Sequence, residues 1–155
     1  MSNESRLNYF AAATASTQAL VTLSKTAAQG LDPRLTELVR LRVSQINGCA
    51  FCLDMHSADL SRQGVEPRQL HTLAGWREAH RFFNTRERAA FAWAEALNAI
   101  PGREPGDAEY AALREQFNDN EIAQLTFVVC AIRAFNMLNV GFRSPVPDKP
   151  YVSST

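Results

Sequence analysis

The sequence predicts an all-α protein, a compact helical domain of about six to eight helices. Apolar residues recur at three- and four-residue spacing in nearly every segment, and no stretch alternates apolar and polar residues as a half-buried strand would. Helix-starting and helix-stopping residues fall between these periodic runs. Residues 5–28 carry Leu7, Phe10, Ala11, Leu20 and Val21 at helical spacing and close at Gly30, which reads as one helix. Asp32 followed by Pro33 is an N-cap with proline at the first helical position. The helix it opens spreads Leu35, Leu38, Val39, Leu41, Val43 and Ile46 over a broad apolar arc and ends at Asn47 and Gly48. A short helix follows over about 49–63, stopped by Gly64 in a left-handed conformation. Residues 67–81 read as one or two short helical pieces around Trp76.

Thr85, Arg86, Glu87 and Arg88 open a further helix through Phe91, Trp93, Ala94 and Leu97. Pro101, Gly102, Pro105 and Gly106 mark a loop, and Asp107 starts a short helix to about Gln116. The longest helix starts at Asn118 or Asn120, ends near Phe142 and is apolar almost all round. Such a helix needs cover on every side, from the rest of the domain or from a second subunit. Its Arg133, Asn136 and Asn139 form a narrow polar strip, read either as groups satisfying one another and nearby carbonyls or as the lining of a pocket or interface. Three prolines at 145, 147 and 150 keep the tail out of helix. The chain therefore divides into one helical domain over 1–143 and a proline-rich tail over 144–155.

Composition narrows the function classes. The chain has 155 residues, enough to bury a core without disulfide staples. Its 16 basic and 16 acidic side chains leave no net charge, which argues against nucleic acid or an anionic membrane as partner. Fourteen of the basic residues are Arg and two are Lys, a bias attributed to genome base composition. No eighteen consecutive residues are apolar, so no transmembrane helix is predicted. Met1 to Arg6 lack the basic start and apolar stretch of a signal peptide, which points to the cytoplasm. There, three cysteines do not serve as structural disulfides, and their spacing becomes the main question.

Cys49 and Cys52 form a C-x-x-C followed by His56. At about 100° per residue, His56 and Cys49 lie about 40° and about 60° from Cys52, so all three share one helical face beside Leu53 and Leu60. A helix N-terminus stabilises a thiolate, a histidine one turn away can take its proton, and a second cysteine can close a disulfide. Glu37, at the edge of the preceding apolar arc between Leu41 and Ser44, could orient His56 if the two helices fold as a hairpin. Other readings stay open at this point. The cysteines could be an inert buried pair. They could hold zinc with His56 and a fourth ligand from Cys130, His71 or His80, although three ligands on one short helix fit zinc spacing poorly. Haem attachment is excluded, because Leu53 stands where its histidine must be. The scaffold could be a non-catalytic, redox-responsive oligomeric module, or a lyase or isomerase using His56 and Glu37 on a small organic acid. Cys130 reads as a small core residue, and His71 and His80 as surface or capping residues.

Residues 37–56, with Glu37 twelve positions before Cys49 and His56 four after Cys52, resemble the alkyl hydroperoxidase D-like (AhpD-like) branch of the carboxymuconolactone decarboxylase family. The segments around Gly30 to Pro33, Gly75 to Arg77, Thr85 to Arg88 and Asn136 extend the likeness over most of the chain. The resemblance implies an all-helical homo-oligomer, a trimer or hexamer, that reduces peroxides with electrons from an external dithiol or redox protein. It implies no cofactor and no metal. Cys52 would be the peroxidatic cysteine and Cys49 the resolving, more exposed one, with His56 and Glu37 as the proton relay. The best-known hydroperoxidase has a further histidine inside the C-x-x-C; here Ala50 and Phe51 occupy those positions, so part of that relay is missing. The decarboxylase branch lacks the redox pair, which disfavours decarboxylation.

Overall fold

A computed structural model describes residues 4–149 as a bundle of eight α-helices, with no strand among the described residues. Met1 to Asn3, the start of the segment read for a signal peptide, and residues 150–155 of the proline tail lie outside the described residues. The helix expected over 5–28 is two: α1 (Tyr9–Ala12) and α2 (Thr14–Ala28), separated by Ala13 at φ −137°, ψ 56°. Tertiary contact overrides helical periodicity here. Residues 10–16 bury nothing, whereas Tyr9 is buried at the far end of the last helix, its ring 6.0 Å from that of Phe142. Arg6 N–H donates to the Phe142 carbonyl at 2.9 Å and fixes the same approach.

The next two helices follow the sequence closely. In α3 (Pro33–Asn47) the Asp32 carboxylate accepts the Leu35 N–H at 2.8 Å, and Gly48 ends the helix at φ 64°. Only a residue without a Cβ adopts that left-handed cap freely. It turns the chain directly into α4 (Ala50–Arg62), so α3 and α4 form a hairpin; Gly64, at φ 81°, follows α4. Beyond come α5 (Pro67–Thr72), a single 3₁₀ turn over Leu73–Gly75, and α6 (Thr85–Asn98), which Asn84 and Glu87 start with a reciprocal capping box. The short α7 (Asp107–Arg114) leads to α8 (Asp119–Phe142), started by the same device from Asn118 and Glu121.

The core lies where α3, α6 and α8 meet, with Leu38, Phe91, Leu125 and Val128 fully buried. Phe91 takes Trp76 and Phe83 edge-on, with ring centroids 5.7 and 5.4 Å away. By length and composition α8 is a helix that could cross a membrane, although no unbroken apolar run announced it. In this structure it is the central helix, packed on α2, α3, α4 and α6. Its cover is incomplete: Phe127, Met137 and Val140 are 51%, 69% and 49% exposed. Cys130 belongs to this outer face and is exposed, which corrects its reading as a core residue. An all-round apolar helix does not say which of its faces meets its own chain.

The polar strip on α8 divides by depth. Arg133 donates to the carbonyls of Leu97 and Ile100 at 3.2 and 2.9 Å, tying down the end of α6. Asn136 is buried between Ser44 and Asn47 of α3, at 3.1 and 3.0 Å. Asn139, one turn further, reaches the cysteines.

Candidate active site

The α3–α4 hairpin builds the site. Gly48 delivers Cys49 to the N-cap of α4, where its sulfur accepts the Cys52 N–H at 3.3 Å. Cys49 and Cys52 are joined as a disulfide across one helical turn, with Cα atoms 5.3 Å apart. The expectation that Cys49 is the more exposed partner is not met: each residue is 1% exposed. They differ in surroundings instead. Cys49 lines a surface cleft of about 390 Å³ with Phe51, Val140, Arg143 and Val146. Cys52 faces inward, and its sulfur accepts a hydrogen bond from Asn139 Nδ2 at 3.4 Å.

One turn after Cys52, His56 is buried beneath α3, and its Nδ1 lies 2.7 Å from Glu37 Oε2. The hairpin thus closes the contact that the sequence left to three-dimensional guesswork. Arg40 donates to the other carboxylate oxygen at 2.5 Å and is itself held by the carbonyl and hydroxyl of Ser24, at 2.9 and 3.0 Å. Burial alone pushes the Glu37 carboxyl up, but the hydrogen bonds and charges of His56 and Arg40 together hold it below its ordinary value. A charged Glu37 accepts the Nδ1 proton and leaves Nε2 as the ring's open acceptor. Nε2 is buried and has no hydrogen-bond partner among the described residues.

Three residues of this site escaped the sequence reading as site members. Arg40 had a local signal, standing three residues after Glu37 on one helix face. Asn139 was visible only as a member of the polar strip. Tyr9 gave no signal at all, yet its hydroxyl donates to Asn139 Oδ1 at 3.1 Å from 130 residues away. Burial pushes the Tyr9 phenol up to about 12 against the opposing hydrogen bond to Asn139.

The other candidate ligands lie elsewhere. His71 and His80 are exposed, and His80 pairs with Arg88. Cys130 is on the outer face of α8. Among the described residues, the atoms that could together hold a cation come from Glu37, His56 and Asp59, within 4.8 Å of one another. Their two carboxylates already carry arginines, Arg40 on Glu37 and Arg62 on Asp59. That donor set is compensated by cations of its own and includes neither cysteine. A larger cleft of about 770 Å³ opens at the other end of α3, around Arg34, Phe82 and Arg86, away from the disulfide.

Comparison with known proteins fits this geometry. The carboxymuconolactone decarboxylase family model matches residues 10–96, which include Glu37, Cys49, Cys52 and His56. A crystal structure of an Agrobacterium tumefaciens protein of unknown function, with a suggested antioxidant-defence role of the AhpD type, superposes with a TM-score of 0.89. It is 34% identical and covers 94% of this chain and 100% of that one. The uncharacterized protein YdfG of Bacillus subtilis is 29% identical over 145 residues, covering 93% of this chain and 98% of that protein. The alkyl hydroperoxide reductase AhpD of Caulobacter vibrioides is 56% identical over 34 residues, 22% of this chain and 19% of that protein.

Proposed function

The chain belongs to the carboxymuconolactone decarboxylase family, and we propose that it is a thiol-dependent peroxidase of the AhpD-like type. The observation that carries this reading is a disulfide-forming pair at a helix N-terminus, with a carboxylate-held histidine one turn from Cys52. In the reduced protein His56 Nε2 takes the Cys52 proton. The thiolate attacks the distal oxygen of a hydroperoxide; an S–O bond forms, the O–O bond breaks, and the leaving alkoxide is protonated from His56. Sulfur is oxidised by two electrons to the sulfenic acid, and the peroxide is reduced to alcohol or water. Cys49 then attacks the Cys52 sulfur, forming the disulfide and releasing water. An external dithiol, free or on a redox protein, attacks Cys49 from the cleft, Cys52 leaves as thiolate, and the second thiol of the reductant releases Cys49. A cytoplasmic setting keeps such reductants reduced.

The exposed apolar residues of α8 support a homo-oligomer, with a second copy covering Phe127, Met137 and Val140. The test of the enzymatic reading is peroxide consumption with a dithiol reductant. Cys52→Ser is expected to abolish turnover. Cys49→Ser is expected, without reductant, to stop after one equivalent of peroxide at the Cys52 sulfenic acid, where the parent stops at the disulfide. If both variants match the parent, the redox reading is wrong, and activity without either cysteine would point to acid–base chemistry by His56 and Glu37.

A further inference from the structure

The two sulfurs are stabilised by different groups. Cys49 is served by the α4 backbone, whose Cys52 N–H it accepts at 3.3 Å. Cys52 lies a turn deeper, and the donor directed at its sulfur is the side chain of Asn139, at 3.4 Å from a residue 87 positions away. We propose that Asn139 is a catalytic residue that stabilises the Cys52 thiolate through its amide N–H, and that Tyr9 is the positioning residue that fixes the amide for this task. The inference rests on the preceding assignment of Cys52 as the reacting thiol.

The directionality of the network supports it. A thiolate only accepts, so the amide must turn N–H toward Cys52 and its carbonyl toward Tyr9. The Tyr9 hydroxyl then donates to Oδ1, as observed at 3.1 Å. The reversed amide would set a carbonyl lone pair against the sulfur charge. Tyr9 and Asn139 are 4% and 5% exposed, so neither exchanges this bond freely for water. The phenol, pushed up by burial, stays protonated and remains a donor throughout the working range of a thiol. The break at Ala13 takes on a purpose: α1 is a separate short helix whose buried residue is Tyr9.

Other groups around Cys52 act differently. Cys49 is its disulfide partner, and His56 on α4, held through Nδ1 by Glu37 on α3, is the group that takes and returns the proton. Arg143, at the end of α8, lines the cleft on the Cys49 side. Asn139 contributes a dipole that does not titrate and that Tyr9 holds from its other end. Its N–H favours the Cys52 thiolate both as nucleophile toward peroxide and as leaving group when the reductant attacks Cys49.

The experiment is the pH dependence of alkylation by iodoacetamide, read peptide by peptide in the full chain carrying Cys49→Ser. Serine preserves the N-cap, and added N-acetylcysteine is the free-thiol reference. In that background Asn139→Leu is expected to raise the Cys52 midpoint by about one pH unit, the size of one lost hydrogen bond to a charged group. Tyr9→Phe is expected to raise it by about half as much, and the reference midpoint stays put in both. A Cys52 midpoint within about 0.2 of the background in both variants overturns the inference. If Asn139→Leu does not fold, Tyr9→Phe decides alone by the same criterion. Peroxide consumption separates the two levels. Undiminished turnover by Cys52→Ser refutes the peroxidase reading and this inference with it; Cys52-dependent turnover with unmoved midpoints refutes this inference only.

Discussion

Replacing Glu37 with Gln removes a charge at the point where α3 and α4 are held together, with little change of shape. The carboxylate accepts twice, from His56 Nδ1 at 2.7 Å and from Arg40 at 2.5 Å. An amide has one oxygen, so one of these donors then faces an NH₂ group. The loss is one charge-assisted hydrogen bond in a buried setting, about 2 kcal/mol. For a chain of this size that lowers Tm by roughly 4–8 °C. The imidazole loses the partner that fixes its tautomer, and peroxide turnover is expected to fall about 100-fold, the scale of a displaced general base. The pH dependence has a definite sign. Glu37 titrates below its ordinary 4.5 in the folded chain, so its contribution is complete above that value and disappears as pH falls through the lower, folded one. The Tm gap between parent and Glu37→Gln is therefore full near neutrality and narrows in acid below the ordinary carboxylate range. Thermal melts across that range, with peroxide assays at neutral pH, check both halves. A variant with parental Tm and rate at neutral pH, or a gap that does not narrow in acid, refutes the reasoning.

Further outcomes follow from the fold. Gly48→Ala has open space for its Cβ, so only the backbone at φ 64° resists it; the expected loss is about 1 kcal/mol, read by chemical denaturation. Phe91→Ala empties a fully buried site between Trp76 and Phe83 and is expected to cost about 3–5 kcal/mol by the same measurement. Phe127→Asp with Met137→Asp, on the exposed face of α8, is expected to lower the molar mass in sedimentation while leaving helix content unchanged; an unaltered mass removes α8 as the subunit contact.

What the sequence disclosed was local chemistry. Asp32 with Pro33, Gly48 and Gly64 mark helix ends with their own side chains or lack of them, and these boundaries were legible to within a residue or two. The face shared by Cys49, Cys52 and His56 followed from helical spacing alone, because all three lie within about two turns at the start of α4, Cys49 as its N-cap. Glu37 needed one further assumption, a hairpin at Gly48. Tyr9 and Asn139 needed the whole fold, since their contacts cross 130 and 87 residues. The break at Ala13 was invisible for the same reason: no proline or glycine marks it, and a distant contact at Tyr9 draws the chain aside. Cys130 was misplaced because the apolar pattern of α8 does not record which of its faces packs against the rest of the chain.

The central claim is that Cys52 reacts with peroxide and Cys49 resolves it. Trapping the sulfenic acid with a dimedone probe after one equivalent of peroxide tests this directly in the two single variants. The account predicts an adduct on Cys52 in Cys49→Ser and none on Cys49 in Cys52→Ser. An adduct on Cys49 in Cys52→Ser, with Cys52 unlabelled in Cys49→Ser, would contradict it.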